Sequence, residues 1–321
     1  MTRRRQLSSD DAAATLTTAA AATVFDVVGS FISSQRGETH SARPTKMSIN
    51  VQTAPLGQRP LSMTVEDEGE RANYCDVFGE SLDMLFDHPR VAITAPVGRV
   101  WTHERSGIRV EIPRTKDDSN WSLQADAVWL ASIYLSEHLQ EVTEEEGFVG
   151  KTLELGCGAG LLGLAIASSH PNAHVVISDY PDEGIMETLQ QSVKLNNLEN
   201  RVTVQPLDWN DPSLLRGELF DTVTAADTLW MSELHTPLCE TLKVTMSAHA
   251  KAHIIAGLHT GRLTIQRFLE TAERNGLSIS KLVEYHSVSG QCREWAAERE
   301  GENRDVMNRW LVYIRLTRRP S

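Results

Sequence analysis

Short β-branched runs mark the first part of the sequence in which apolar positions follow a regular pattern, from about Asp67 onward. Val91 to Thr94 and Ile108 to Ile112 are two such runs, and Pro and Gly residues lie between them. Runs of this length with Pro and Gly on either side are typical of strands. We therefore predict a small strand-rich lead-in over residues 66–119.

A helical period follows between Ser122 and Leu139. Its apolar residues recur at helical spacing, as Leu123, Ala127, Leu130, Ala131, Tyr134, Leu135 and Leu139. This spacing collects the apolar side chains on one face of a helix. The pattern predicts an amphipathic helix that carries Trp129, followed by a solvated loop at Glu144 to Glu146.

Beyond Gly150 the pattern changes to a strand, a turn and a helix in close succession. Thr152 to Leu155 form a short strand that runs into a glycine-rich turn ending at Gly160, and an apolar helix follows from Leu161 to Ala167. In this arrangement the backbone can approach a ligand closely, and the N–H groups of the helix face it. A tight structural turn is the alternative interpretation of the glycines alone.

Composition and charge exclude several classes of protein. Of the 321 residues 40% are hydrophobic, and the formal net charge is −12. No stretch approaches the roughly 18 uninterrupted apolar residues that a spanning helix needs, so no membrane partner is expected. An acidic chain repels phosphate backbones, and no local basic patch is obvious, so no nucleic-acid partner is expected. Four scattered cysteines without zinc or disulfide spacing indicate a reducing, intracellular compartment.

The first 65 residues are predicted to form a disordered tail. They are rich in Ala, Thr and Ser, and the first fifty carry six basic and four acidic side chains, so the remaining chain has a net charge of −14. Such a segment has little apolar surface to bury. A mitochondrial transit peptide is the alternative, since three arginines at positions 3–5 precede an Ala/Thr-rich stretch, but Asp10 and Asp11 argue against it. A cytoplasmic location is expected, with the nucleus as an alternative.

A second strand, His174 to Ser178, makes the glycine-rich turn more specific. It ends in Asp179, which lies 19 residues after Gly160. A carboxylate at the end of the second strand is where a ribose diol is held by paired hydrogen bonds. A dinucleotide fingerprint also needs a third glycine three residues after its second, but Leu161 stands there, which disfavours an NAD-dependent oxidoreductase.

The pattern Glu154-x-Gly156-x-Gly158-x-Gly160 resembles motif I of the class I S-adenosylmethionine-dependent methyltransferases. The resemblance implies S-adenosylmethionine (SAM) as cofactor, with its amino-acid moiety against this loop, where the small Cys157 fits the turn. Further cofactor contacts are implied for the acidic motif II residue Asp179, for Tyr180, for the adenine-binding pair Asp208 and Trp209, and for Ala226 at the end of motif IV.

The resemblance extends over nearly all of residues 120–318 and implies a methyltransferase domain over residues 120–321. Its expected fold is an α/β, Rossmann-like, seven-stranded sheet, mostly parallel with an antiparallel last strand. After the two strands named above, the remaining strands are expected at Arg201 to Gln205, Phe220 to Ala226, His253 to Ala256, Ser278 to Tyr285 and Trp310 to Leu316. A helix is expected from Leu263 to Asn275.

Asp227-Thr228-Leu229-Trp230 resembles the Asp-x-x-aromatic motif of the branch that methylates protein lysines and N-terminal amines, whose fungal members are often labelled nicotinamide N-methyltransferase-like. Val128-Trp129 is similar to the Val-Trp helix of that branch, whose tryptophan stacks near the cofactor. One position departs from the family, which usually has Tyr or Phe where this chain has Trp230. The ring can still form the wall of an amine channel, but a hydroxyl group is lost.

Methyl transfer to an amine requires a deprotonated, aligned nucleophile. We expect Asp227 to orient the amine and offset its positive charge, with Trp230 shaping the channel. His235 and His259 follow the fourth and fifth strands and could reach the site, although a lone histidine is more commonly a solvated or hydrogen-bonded loop residue.

The expected acceptor is a protein amine, on a basic partner in view of the acidic surface, and the chain is expected to be a monomer. Three alternatives stay open. One is a small-molecule N- or O-methyltransferase, in which the lead-in would form a lid, and another is a methyltransferase-like binding module, which the intact motifs disfavour. A nucleic-acid base methyltransferase is disfavoured because Thr228 and Leu229 replace the two prolines of its motif.

Overall fold

The computed structural model describes residues 49–50, 62–63, 91–116, 123–145, 147–148 and 150–319. The chain divides into two units, residues 1–70 and residues 71–321. In the first unit β1 (Ile49–Asn50) pairs antiparallel with β2 (Ser62–Met63). The tail predicted over residues 1–65 lies outside the described residues apart from these two strands.

The second unit alternates strands with helices along most of its length. Its strands are β3 (Ala92–Thr94), β4 (Val100–Thr102), β5 (Arg109–Glu111), β6 (Ala127–Trp129), β7 (Gly150–Leu155), β8 (Ala173–Asp179), β9 (Val202–Pro206), β10 (Phe220–Ala226), β11 (Met246–Gly257), β12 (Leu277–His286), β13 (Cys292–Glu294) and β14 (Trp310–Arg318). Its helices are α1 (Leu130–Glu137), α2 (Leu139–Thr143), α3 (Leu161–Ser169), α4 (Glu183–Leu195), α5 (His235–Thr245), α6 (Arg262–Arg274) and α7 (Arg304–Met307). None of the helices in the described stretches is long and apolar enough to cross a membrane.

The large sheet has the strand order β13-β12-β14-β11-β10-β7-β8-β9. Strands β7 to β11 run parallel to one another, and the chain returns to the centre of the sheet after β9. β7 and β10 are therefore neighbours. The chain continues from β7 to β8 on one side of this pair and from β10 to β11 on the other side. Ligands of open α/β sheets bind outside the carboxyl ends of the strands at such a switch point.

Two apolar layers cover the faces of this sheet. One includes Leu135 of α1 and Ile166 of α3, and the other includes Leu242 of α5 and Phe268 of α6. The central strands are buried on both faces, as the uninterrupted burial of the last four residues of β7 shows. Continuous apolar strands of this kind are characteristic of parallel sheets with helices on both sides.

The antiparallel edge of the sheet confirms the predicted fold class and extends it. β14 pairs antiparallel with both β11 and β12, as expected for the last strand. An eighth strand, β13, pairs antiparallel with the outer edge of β12. Seven strands were expected from the sequence, because the three residues of β13 are too few to give a recognisable pattern.

The prediction of one helix between Ser122 and Leu139 is wrong in its first half. Gln124 has a left-handed backbone, with φ 52°, which interrupts any helix at that position. Ala127 to Trp129 then pair antiparallel with β3, so their backbone groups belong to a ladder. Helix α1 starts only at Leu130. Trp129 thus lies at the end of β6 and at the N-cap of α1, not on a helix.

The lead-in packs against the rest of the second unit at two places. β3 pairs with β6, and this ladder crosses the predicted boundary between residues 119 and 120. The hairpin of β4 and β5 contacts α4, where the backbone N–H of Glu111 donates to Ser192 Oγ at 2.9 Å. The domain bounds themselves stay a prediction, since residues 117–122 lie outside the described part of the chain.

A buried ion network joins the start of α6 to the outer strands. Arg262 donates to Glu284 at 2.7 Å and to Glu302 at 2.6 Å, and Arg293 contacts both carboxylates at 2.6 and 2.7 Å. The Glu284 side chain is 0% exposed. Since each charge is paired, the network fixes the segment that carries the chain from β11 into α6, and loss of one partner would leave a buried charge uncompensated.

Candidate active site

A cavity of about 140 Å³ opens at the carboxyl edge of the sheet, beside the switch point between β7 and β10. Many residues predicted to bind the cofactor or the acceptor line it: Trp129, Gly156, Gly158, Asp179, Tyr180, Asp208, Trp209, Ala226, Asp227 and Trp230. They come from five separate segments, and the parallel strand order explains their convergence. Their contact with a ligand stays a prediction.

The glycine-rich turn approaches the cavity where side chains would obstruct it. Gly156 has a φ of 61°, and an added Cβ there would lie 2.9 Å from Thr228 Cγ2 and 3.0 Å from Trp209 Cζ2. Only glycine meets both conditions without displacing its neighbours. Trp209 is therefore a packing partner of the turn as well as a lining residue.

Asp179 connects the end of β8 to this turn. Its Oδ2 accepts a hydrogen bond from the Gly158 backbone N–H at 2.7 Å, and its Oδ1 accepts one from the Tyr180 N–H at 2.8 Å. Burial raises the pKa of Asp179, and the two N–H donors oppose that shift. The carboxylate is thus held in a fixed orientation at the cavity, with lone pairs left for ligand hydroxyls.

Asp208 and Trp209, in the loop after β9, also line the cavity. Asp208 Oδ1 accepts hydrogen bonds from the backbone N–H of Asn210 at 2.9 Å and from its side-chain amide at 3.0 Å. These bonds fold the loop after β9 into a tight turn. The carbonyl oxygen of Trp209 accepts a hydrogen bond from Thr241 Oγ1 at 3.2 Å, which ties the loop to α5.

Three predicted cofactor residues, Glu154, Cys157 and Gly160, lie outside the cavity lining. Glu154 is 1% exposed, and its Oε2 accepts a hydrogen bond from the Gly163 backbone N–H in the first turn of α3 at 2.7 Å. Burial raises its pKa to about 8. Its place in the fold supports the turn from β7 into α3, and a direct contact with a cofactor finds no support there.

Asp227 follows β10 in an unusual backbone conformation. Its φ is 55°, a left-handed value that is uncommon for a residue with a side chain. Its N–H donates to the Ile255 carbonyl oxygen at 2.8 Å, and its Oδ1 accepts from the Gly257 N–H at 2.8 Å. The backbone strain is therefore held by contacts to β11, and it directs a carboxylate to the cavity.

The charge of Asp227 depends on its few polar neighbours. Burial raises its pKa, whereas His259 and the backbone N–H groups of Gly257 and Ala131 lower it. His259 Nδ1 lies 3.9 Å from Asp227 Oδ1. Among the described residues, Asp227 Oδ2 and Thr228 Oγ1 are buried without a hydrogen-bond partner. Two such oxygens beside one cavity suit a ligand that carries N–H or O–H donors.

Aromatic and apolar side chains complete the wall on the acceptor side. Trp129 donates its indole N–H to the Gln124 carbonyl oxygen at 2.9 Å and stacks on His259, with ring centroids 5.4 Å apart. Sequence reasoning missed several lining residues, namely Leu123, Gln124, Ala125, Leu207, Asn210, Thr228, Met231 and Leu234. Thr228 lies inside the Asp-x-x-aromatic motif and Met231 directly follows it, so that motif could have indicated both.

The two histidines considered from the sequence have different places. His235 is buried and its Nε2 bonds to the Leu229 carbonyl oxygen at 2.8 Å, while its ring packs edge-on against Phe268. Burial lowers its pKa, so it is a neutral part of the core. His259 instead lies behind Trp129 and beside Asp227.

Residues 114–275 match the family model described as lysine methyltransferase, which is half of the chain. The chain belongs to the lysine methyltransferase family. The match covers the glycine-rich turn, both strand-end acids and the Asp-x-x-aromatic motif, and it confirms the resemblance seen in the sequence.

Curated relatives agree with the family. The chain is 32% identical over 170 residues to the protein-lysine N-methyltransferase EEF2KMT of Mus musculus, covering 46% of this chain and 49% of that protein. It is 27% identical over 166 residues to the protein N-terminal and lysine N-methyltransferase EFM7 of Candida glabrata, covering 48% and 64%. The chain thus spans about half to two thirds of the length of these relatives.

A longer alignment reaches the protein-lysine N-methyltransferase EFM3 of Chaetomium thermophilum. It has 27% identity over 260 residues and covers 76% of this chain and 68% of that protein. Among solved structures, a TehB-like SAM-dependent methyltransferase of Corynebacterium glutamicum aligns with 63% of this chain and 94% of that chain, at a TM-score of 0.42 and 17% identity.

Proposed function

We propose that this chain is a SAM-dependent N-methyltransferase whose acceptor is an amine of a protein, either a lysine side chain or an N-terminal amine. The observation that carries the proposal is one cavity that joins the glycine-rich turn and Asp179 to the Asp227 carboxylate and the Trp230 ring. A site for methyl transfer must bring a donor and a nucleophile together in one space closed to water.

The residues of the first half of the cavity fit the cofactor. Asp179 presents a fixed carboxylate that can accept hydrogen bonds from the two ribose hydroxyls. Gly156 leaves the close backbone approach that a Cβ would remove, and Trp209 offers an aromatic face for the adenine. When bound, SAM supplies a methyl group on a positively charged sulfonium, which is electrophilic without help from an acid or a metal.

The residues of the second half fit an amine. The Asp227 carboxylate can accept a hydrogen bond from the incoming nitrogen and offset its positive charge. Thr228 Oγ1 is a second buried oxygen without a partner among the described residues, so it can accept from the same group. The rings of Trp129 and Trp230 line the cavity beside them, and a cationic amine is attracted to such faces.

A protein acceptor is favoured over a small molecule by the names of the relatives, which are protein-lysine or N-terminal methyltransferases. The net charge of −12 also favours a basic partner, because opposite charges accelerate the encounter of two proteins. A small-molecule acceptor is the other outcome of the experiment below.

The test is transfer of radiolabelled methyl groups from SAM into a cell lysate, resolved by gel electrophoresis. We expect labelled protein bands whose label is stable to alkali. Amino-acid analysis of these bands should assign the label to methylated lysine or to a methylated N-terminal residue. Label confined to the low-molecular-weight fraction would refute a protein acceptor. Calorimetry that detects no SAM binding would refute the methyltransferase itself and favour a binding module.

Asp227→Asn tests the role of the carboxylate. Asn tolerates the left-handed backbone at this position, so the variant removes the charge without new strain. We expect kcat/KM to fall by about 100-fold or more, the usual effect of losing a group that handles the proton of the nucleophile. SAM affinity measured by calorimetry should stay close to that of the wild type. Glu240→Gln, which neutralises an exposed carboxylate on α5, is the control.

A cytoplasmic location is part of the proposal. It is supported by the cysteines of the described residues, of which Cys157, Cys239 and Cys292 are all free thiols, as is usual in reducing compartments. Fluorescence microscopy of the tagged full chain tests it, and a mitochondrial signal would favour the transit-peptide alternative.

A further inference from the structure

His259 has two contacts that no element of the predicted site required. Its ring stacks on Trp129 with an interplanar angle of 22°, and its Nδ1 lies 3.9 Å from Asp227 Oδ1. Nδ1 is buried and has no hydrogen-bond partner among the described residues. One imidazole therefore contacts both an aromatic wall of the cavity and the carboxylate that faces it.

The backbone around Gly257 is shaped to allow this approach. The Gly257 N–H donates to Asp227 Oδ1 at 2.8 Å, and a Cβ on Gly257 would lie 2.7 Å from His259 Nδ1 and 3.4 Å from Asp227 Oδ1. Only a residue without a side chain leaves room for the imidazole beside the carboxylate. The contact thus depends on the glycine as well as on the histidine.

The charged groups around His259 are few and separately held. The Asp227 carboxylate faces the ring from the end of β10, and Arg304 Nη2 donates to the His259 carbonyl oxygen at 3.3 Å from α7. Arg262, three residues further along, is turned into the buried carboxylates Glu284 and Glu302. Asp227 is therefore the carboxylate with which the imidazole ring interacts.

We infer that His259 is a positioning residue that holds the Asp227 carboxylate ionised and the Trp129 ring in place for the acceptor amine. It does not line the cavity and acts through these two residues. Without it, the buried carboxylate loses one of the groups that lower its pKa. The inference rests on the proposed function, and it names the group that maintains the charge on which amine binding depends.

A pair of variants separates the charge of His259 from its stacking. His259→Phe keeps an aromatic ring against Trp129 but has no nitrogen, whereas His259→Gln keeps a polar N–H donor and loses the ring. His249→Phe is the matched control, because His249 lies on β11, the strand that leads to His259, and is exposed and roughly 25 Å from Gly257 at the usual rise per residue.

Kinetics against pH give the first readout. In His259→Phe we expect the acid limb of kcat/KM to move to higher pH by about one unit, so that activity below the midpoint falls roughly tenfold. The loss should shrink at high pH, where Asp227 is ionised in both proteins. A merely structural role in stacking predicts a different result. His259→Phe should then behave like the wild type, and His259→Gln should be impaired at every pH.

Tryptophan fluorescence gives a second readout that does not depend on activity. An imidazole stacked on an indole changes its emission, so His259→Phe should change the tryptophan emission of the wild type and leave that of Trp129→Phe unchanged. His249→Phe should leave the emission unchanged in both backgrounds, so the pairs Trp101–His103 and His286–Trp310 do not affect the comparison.

Wild-type kinetics in His259→Phe, or a change in emission that His259→Phe causes equally with and without Trp129, would overturn the inference. If the wild type transfers no methyl group to protein while the fluorescence behaves as expected, the proposed function fails and the contact between His259 and Trp129 stands.

Discussion

Replacing Glu154 with Gln should change how stability depends on pH while it leaves cofactor binding intact. The Glu154 carboxyl group is buried between β7 and α3, where its Oε2 accepts a hydrogen bond from the Gly163 N–H. Burial raises its pKa from 4.5 to about 8, the Asp179 carboxylate adds to the shift, and the Gly163 N–H opposes it. The folded protein therefore favours the neutral form of this side chain.

The sign and size of the effect follow from linkage. The folded pKa is the higher one, so the folded state binds the extra proton between pH 4.5 and about 8. The stabilisation is fully present below pH 4.5 and is lost as the pH rises through 8. A shift of this size corresponds to about 5 kcal/mol at most. Gln is neutral at every pH and has almost the same shape, so the variant avoids this loss.

The assay is urea unfolding of the wild type and Glu154→Gln at pH 5, 7 and 9, with Glu240→Gln as an exposed control. We expect the free energy of unfolding of Glu154→Gln to rise relative to that of the wild type with each step in pH. The difference between Glu240→Gln and the wild type should stay the same at all three pH values. Calorimetry should find unchanged SAM affinity, since Glu154 does not line the cavity. A stability difference that is the same at pH 5 and pH 9 would refute the buried, proton-binding state of Glu154.

Two further predictions concern the ion network and the glycine-rich turn. Glu284→Gln leaves Glu302 as the carboxylate that Arg262 and Arg293 share, so one buried positive charge loses its counter-charge. Urea unfolding should show a loss of about 3–5 kcal/mol, against little change for the exposed Glu294→Gln, and equal stability of the two variants would contradict this role of Glu284. Gly156→Ala adds a Cβ 2.9 Å from Thr228 at a φ of 61° and should weaken SAM binding in calorimetry, whereas Gly217→Ala, with a φ of 75° and open space around it, should not. Equal SAM affinity in both glycine variants would show that the turn does not contact the cofactor.

The order of strands and helices after Gly150 was predictable because each element carries its own local pattern. The strand expected at His174 to Ser178 is β8 (Ala173–Asp179), and the helix expected from Leu263 to Asn275 is α6 (Arg262–Arg274). Their ends differ by only one residue, since apolar runs and flanking turn residues are read directly from the sequence. The placement of Asp179 and Asp227 at strand ends followed from the same patterns.

The segment before α1 could not be predicted in this way. Ala127 to Trp129 owe their extended backbone to the ladder with Ala92 to Thr94, more than thirty residues away, and Gln124 interrupts the helical period through its left-handed φ. Local spacing does not record such a pairing. β13 was not predicted for a similar reason, because its three residues form a strand only through their pairing with β12.

The sequence by itself determined which chemistry the chain carries, and the tertiary structure decided which groups meet. The glycine-rich turn, Asp179 and the Asp-x-x-aromatic motif are local features, and they identify the family. That Glu154 turns away from the cavity depends on the packing of β7 against α3. That His259 contacts Asp227 next to Gly257 and stacks on Trp129 depends on β10 and β11 lying side by side and on the end of β6 lying close to the residues that follow β11. Contacts between residues distant in the chain are set by packing, and no spacing along one segment encodes them.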